Sequence, residues 1–183
     1  MRAVLIVVDM INGSFDGWAD ETRARLVRDV NALALGLRIL GAPVIWVRQE
    51  YADDLHDAPL AMRDRGVRGY VRGTPASQLV VGLDVRPTDE ILVKKRYSAF
   101  FGTDLDARLA GHAPSRLVIA GVNTHACIRT TAIDAYQRDW RVILAADCIA
   151  SYDVAHHDIS LAYMNGRIGT ALENAAIFAL LKT

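Results

Sequence analysis

Ala3-Val-Leu-Ile-Val-Val-Asp9 is a run of aliphatic residues closed by a carboxylate. It lacks the polar alternation of a strand with one wet face, so it reads as a strand covered on both sides, as in a parallel sheet. Val44–Val47, Ile91–Val93, Leu117–Ala120 and Val142–Ala146 repeat the pattern. Between these runs lie stretches of helical period. Glu21–Leu40 sets Leu26, Val30, Leu33 and Leu37 at three- and four-residue steps and stops before Gly41 and Pro43. Thr124–Trp140 and Asp153–Met164 read the same way. Strand alternating with helix predicts right-handed βαβ units and a three-layer α/β/α doubly wound sandwich around a mostly parallel sheet.

The chain has 183 residues, with 21 Lys+Arg against 21 Asp+Glu. That length, without repeats, low-complexity tracts or a dividing linker, predicts one domain over residues 1–183. Zero net charge offers no basic field for phosphates, which argues against a nucleic-acid partner. No apolar run reaches the roughly 20 residues of a membrane span, so no membrane partner is expected. The first apolar run is too short for a signal peptide, and a cytoplasmic location is expected. Two cysteines, Cys127 and Cys148, cannot build a disulfide framework and are expected as free thiols. Residues 50–77 mix charges with Gly66, Gly69 and Gly73 and show no periodicity. A segment of this length in a compact domain is expected to be a lid or a subunit contact.

In an open α/β sheet, ligands bind beyond the carboxyl ends of the strands. Asp9 closes the first strand, Lys94 and Lys95 close the third, and Cys127 follows the fourth across a short turn. A carboxylate, an ammonium and a thiol on one rim suit a base, a charge-stabilising group and a nucleophile. Each also has an ordinary structural role. A strand-end Asp forms turns, a Lys pair decorates a solvated edge, and a lone Cys packs as a small apolar side chain.

Three segments carry a family resemblance: Leu5-Ile-Val-Val-Asp9-Met-Ile-Asn12, Lys94-Lys-Arg-Tyr-Ser-Ala-Phe-Phe-Gly-Thr103-Asp-Leu, and Gly121-Val-Asn-Thr-His-Ala-Cys127-Ile-Arg-Thr-Thr-Ala-Ile-Asp-Ala-Tyr. In this order they resemble the isochorismatase-like cysteine hydrolases, a superfamily that includes nicotinamidases, ureide amidohydrolases and isochorismatase. The resemblance implies a catalytic triad of Asp9, Lys94 and Cys127. The lysine three residues before Tyr97 is selected over Lys95. It also implies a cis peptide at Val122–Asn123 and an oxyanion hole from the backbone N–H groups of Asn123 and Cys127. A helix starting near Cys127, together with Lys94, is expected to favour the thiolate. Asp9 then moves protons while the sulfur attacks a carbonyl and forms a thioester. That chemistry needs no cofactor, and a homo-oligomer, dimer or tetramer, is implied as well.

The departures bear on the substrate. Ile11 stands where many relatives have Gln, and Arg48-Gln-Glu-Tyr-Ala-Asp-Asp-Leu-His56 lacks the Asp-x-His spacing of the nicotinamidase metal site. No metal is therefore expected. The leading expectation is a metal-independent hydrolase of the C–N bond of a small amide or ureide. One alternative is isochorismatase-type vinyl ether hydrolysis with Asp9 as acid, although that branch lacks a working nucleophilic Cys. The other is a non-catalytic family member. Ile11, Phe15, Trp18, Tyr97, Phe100 and His125 are candidate pocket-lining residues, with Phe101 beside them. His125, two residues from Cys127, is a poor base for that thiol, because i and i+2 do not share a helix face. Cys148 is expected to be a buried structural thiol. The apolar stretch Ala175–Leu181 reads as a docked core helix or an interface patch.

Overall fold

A computed structural model describes residues 2–182. Its centre is a six-stranded sheet: β1 (Ala3–Val8), β2 (Val44–Gln49), β3 (Glu90–Lys94), β4 (Arg116–Val122), β5 (Val142–Ala150) and β6 (Gly169–Leu172). The spatial order is β3-β2-β1-β4-β5-β6, and every pairing is parallel. Six helices surround it: α1 (Asp20–Ile39), α2 (Leu60–Asp64), α3 (Leu105–His112), α4 (Arg129–Tyr136), α5 (Val154–Met164) and α6 (Asn174–Lys182).

The unbroken apolar character of β1 follows from its central position. Successive side chains of a strand point to opposite faces, and both faces of β1 are covered. Leu5 and Val7 pack with Leu26, Val30, Leu33 and Leu37 of α1 and with Ile177 and Leu181 of α6. Val4, Ile6 and Val8 pack on the other face with Leu105 and Leu109 of α3 and with Ile128, Ala132 and Ala135 on and beside α4. The C-terminal apolar stretch is thus a docked helix. It lies so close to α1 that a Cβ on Gly36 would fall 2.4 Å from the Phe178 ring.

Chain order runs outward from β1 through β2 to β3, then returns across β1 to β4. The switch point between β1 and β4 opens a crevice at the carboxyl ends of the strands. The two strands approach so closely at Val8 and Gly121 that a Cβ on Gly121 would sit 1.9 Å from the Val8 carbonyl oxygen. Gly121 also adopts φ +112°, a region L side chains rarely enter.

β6 and α3 lie outside the elements expected from periodicity. β6 is a four-residue edge strand, Gly-Thr-Ala-Leu, only partly buried, so it has no apolar run to signal it. The helix expected from Thr124 starts instead as a π-helical turn over Thr124–Ile128, with α4 beginning at Arg129. Residues 50–77 hold α2, a 3-10 turn at Pro75–Ser77 and a small core of Tyr51, Leu55, Ala58 and Val71. Backbone bonds from Tyr51 to Tyr70 and from Arg72 to Tyr51 close that segment on itself.

Candidate active site

Four strand ends supply the crevice with polar side chains, each ending an apolar run whose burial fixes its position. Asp9 follows β1, Gln49 ends β2, Lys94 ends β3, and Asn123 and Cys127 follow β4. Gln49 and Lys94 are register partners on neighbouring strands. Asp9 itself takes φ +54°, a left-handed conformation worth about 1–3 kcal/mol of strain for a residue with a Cβ.

Lys94 is fully buried, and its ammonium is the hub of the site. Nζ lies 2.7 Å from Asp9 Oδ2, 3.4 Å from Cys127 Sγ, 2.7 Å from Gln49 Oε1 and 3.0 Å from the Arg96 carbonyl oxygen. A buried ammonium needs this many acceptors to offset its lost hydration. Burial alone would lower the Lys94 pKa, but the Asp9 charge, followed by the Cys127 sulfur, outweighs it and holds the ammonium above its ordinary value. The second Asp9 oxygen, Oδ1, is buried with no hydrogen-bond partner.

Cys127 is 7% exposed. Burial first, and then the neighbouring Asp9 charge, push its thiol well above the usual range, while Lys94 pulls the other way. The expected resting thiolate is therefore corrected. Cys127 sits within the π turn rather than at the start of α4, and desolvation outweighs its one cationic neighbour. The group at rest is a thiol close to the Asp9 carboxylate. The Val122–Asn123 peptide is cis, and the Asn123 carbonyl accepts from the N–H groups of both Ala126 and Ile128.

Lys95 points elsewhere. Its ammonium pairs with Asp57 at 2.9 Å and donates to the Glu50 carbonyl. Of the candidate wall residues, Tyr97 and His125 line a cavity of about 850 Å³ that also contains Asp9, Cys127 and Asn123. Ile11, Phe15, Trp18 and Phe100 do not line it, and their expected role is corrected. Ile11 is fully buried in a bridge to Leu79, and Phe15 stacks edge-on against Trp18 within the α1-side core. Phe100 belongs to the opposite core beneath Arg138, whereas its neighbour Phe101 faces the cavity.

The roof comes from residues 50–77, through Tyr51, Met62, Arg65 and Tyr70, with Arg96 and Tyr152 at the sides. Gln49 was legible by the rule that found Asp9 and Lys94, since it is the polar residue closing an apolar strand. Tyr51 had no such signal. Its hydroxyl accepts from Gln49 Nε2, which holds the other end of that amide toward Lys94. Cys148 is buried, donates to Asn174 Oδ1, and lies away from the cavity. Burial leads in raising its pKa to about 12. Among the described residues, no group of three or more His, Cys, Asp or Glu side chains is placed to hold a metal ion. No helix among them is long and apolar enough to cross a membrane.

A family model described as the isochorismatase domain matches residues 3–176. A probable isochorismatase from Pseudomonas chlororaphis is 32% identical over 167 residues, covering 91% of this chain and 80% of the relative. Among solved structures, an isochorismatase family protein from Desulfovibrio vulgaris superposes with a TM-score of 0.89 at 27% identity, covering 99% and 98% of the two chains. N-carbamoylsarcosine amidase from Thermoplasma acidophilum superposes with a TM-score of 0.79 at 28% identity, covering 95% and 97%.

Proposed function

The chain belongs to the isochorismatase family, and from that premise we propose that it is a metal-independent cysteine hydrolase cleaving the C–N bond of a small amide or ureide. The observation that carries this reading is the Lys94 ammonium in contact with both Asp9 Oδ2 and Cys127 Sγ, beside an Asp9 oxygen left without a partner.

Asp9 takes the Cys127 proton as the sulfur attacks the substrate carbonyl carbon. A base in position suits a thiol whose burial keeps it protonated until substrate arrives. The carbonyl π pair moves to oxygen, and the backbone N–H groups of Asn123 and Cys127 receive the oxyanion. One such donor is typically worth 10²–10³ in rate. Collapse of the intermediate breaks the C–N bond, Asp9 returns its proton to the departing nitrogen, and a thioester remains. Asp9 next takes a proton from water, the hydroxide attacks the thioester, and the acid leaves as the thiol re-forms. Lys94 stays charged throughout, so the site alternates between an ion pair with Asp9 and one with the developing thiolate.

The test is ammonia release from a panel of small primary amides and ureides, with Cys127→Ala alongside. Turnover that falls on the order of 10⁴-fold or more in the variant, at an unchanged thermal midpoint, is expected. Substantial turnover without the thiol would reject the covalent route.

A second reading is isochorismatase-type vinyl ether hydrolysis with Asp9 as acid, favoured by the likeness to the probable isochorismatase of Pseudomonas chlororaphis. It predicts pyruvate from isochorismate, undiminished in Cys127→Ala.

A further inference from the structure

His125 stands on the cavity wall beside Cys127 and Asn123, on the β5–α5 side of the thiol, away from Lys94. Its ring is held in place. Nδ1 lies 2.6 Å from Ser151 Oγ, the ring edge meets Tyr152 with centroids 5.2 Å apart, and the His156 ring follows at 5.5 Å.

These contacts bear on the tautomer. Ser151 Oγ accepts from the Asp153 backbone N–H at 3.4 Å, which uses one lone pair of the hydroxyl. Asp153 itself is turned toward His156, accepting from that residue's backbone N–H and pairing with its ring. Among the described residues, His125 Nδ1 is the acceptor within reach of the Ser151 proton. With the hydroxyl donating to Nδ1, a neutral imidazole carries its hydrogen on Nε2. Burial first, and the His156 charge second, lower the His125 pKa, so the neutral form persists at neutral pH. Nε2–H has no protein partner among the described residues.

We infer that His125 is a specificity-determining residue whose Nε2–H donates to a second acceptor atom on the substrate, a carbonyl or carboxylate oxygen or a ring nitrogen on the side of the scissile group away from Lys94. The inference rests on the reading that substrate meets Cys127 in this cavity. It narrows the substrate class to small amides that carry such an acceptor beyond the carbonyl under attack. A site built around a positioned donor discriminates strongly against analogues lacking the matching acceptor, because the donor is left unpaired.

Alkylation of Cys127, followed by intact-mass spectrometry, tests this without a known substrate. Iodoacetamide carries an amide acceptor; 1-iodopropane is of similar size and carries none. His125→Phe should slow iodoacetamide about tenfold relative to the parent protein and leave 1-iodopropane unchanged. His125→Gln, which restores an N–H at similar reach, should recover most of the lost rate. Equal slowing of both reagents would mean that His125 acts on the thiol or the local packing, and would overturn the inference. No change with either reagent would overturn it too. The hydrolase reading fails separately, through the absence of Cys127-dependent ammonia from the parent protein, and that result leaves the alkylation ratio to be judged on its own.

Discussion

At the scale of single residues, the site resolves into one ammonium shared by two acidic groups. In the proposed mechanism Asp9 has two effects on Cys127 that point in opposite directions: it would accept the thiol proton, and its charge, after burial, raises the thiol pKa. Asp9→Asn should therefore separate reactivity from turnover. With Lys94 no longer balanced by a carboxylate, the thiol pKa falls, and alkylation by iodoacetamide at pH 7 should be faster than in the parent protein. Hydrolysis should drop by about 10²–10⁴-fold, since the proton has no carrier. Loss of both activities would mean that Asp9 serves to hold the thiol in place. Asp9, Lys94 and Cys127 were legible in the sequence because strand-end position and motif spacing both pointed at them. The state of the thiol was not. It depends on how deeply the turn is buried, which no local pattern encodes. Phe15, Trp18 and Phe100 were misread for a related reason, since an aromatic near a rim residue looks alike whether it faces the cavity or the core.

At the scale of elements, the central strands were readable because a doubly covered strand has to be apolar throughout. The edge strand β6 and the helix α3 were not, being short and only partly buried. The junction of β1 and β4 carries the tightest constraint. Asp9 and Cys127 face one another across the crevice because these strands are neighbours, and they close together at Val8 and Gly121. Gly121→Ala would place a methyl 1.9 Å from the Val8 carbonyl oxygen at a φ of +112°. We expect a loss of about 3 kcal/mol from overpacking and backbone strain, or roughly 6–12 °C in thermal midpoint for a chain of this size. Activity should fall further than stability, because the displacement moves Asp9 relative to Cys127. A thermal midpoint within 2 °C or so of the parent, on the same scale, would show that the strands can part there without cost.

At the scale of the whole molecule, the cavity has a rigid floor of strand ends and a roof from a segment with only a small core of its own. The roof is tied to the floor through charge. Lys95, the neighbour of the buried lysine, pairs with Asp57 at 2.9 Å, and Arg96 donates to the Asp57 carbonyl at 2.8 Å. The Asp57 side chain also accepts from the Ala52 N–H. Desolvation would raise the Asp57 pKa, but Lys95 and that N–H outweigh it and hold the carboxyl below its ordinary value. The tether is fully present above the ordinary carboxylate range and is lost as pH falls through the lowered value. Asp57→Ala should therefore reproduce at neutral pH what strong acid does to the parent roof. Segments with few buried apolar contacts open locally without global unfolding, so cleavage by trypsin at Arg63, Arg65 or Arg68 should accelerate while the thermal midpoint moves little. Substrate KM should rise severalfold with kcat less affected, because the roof residues Tyr51, Met62, Arg65 and Tyr70 line the cavity and the floor carries Asp9 and Cys127. Unaltered tryptic cleavage would show that the Tyr51–Val71 core closes the roof by itself, leaving the ion pair as surface decoration.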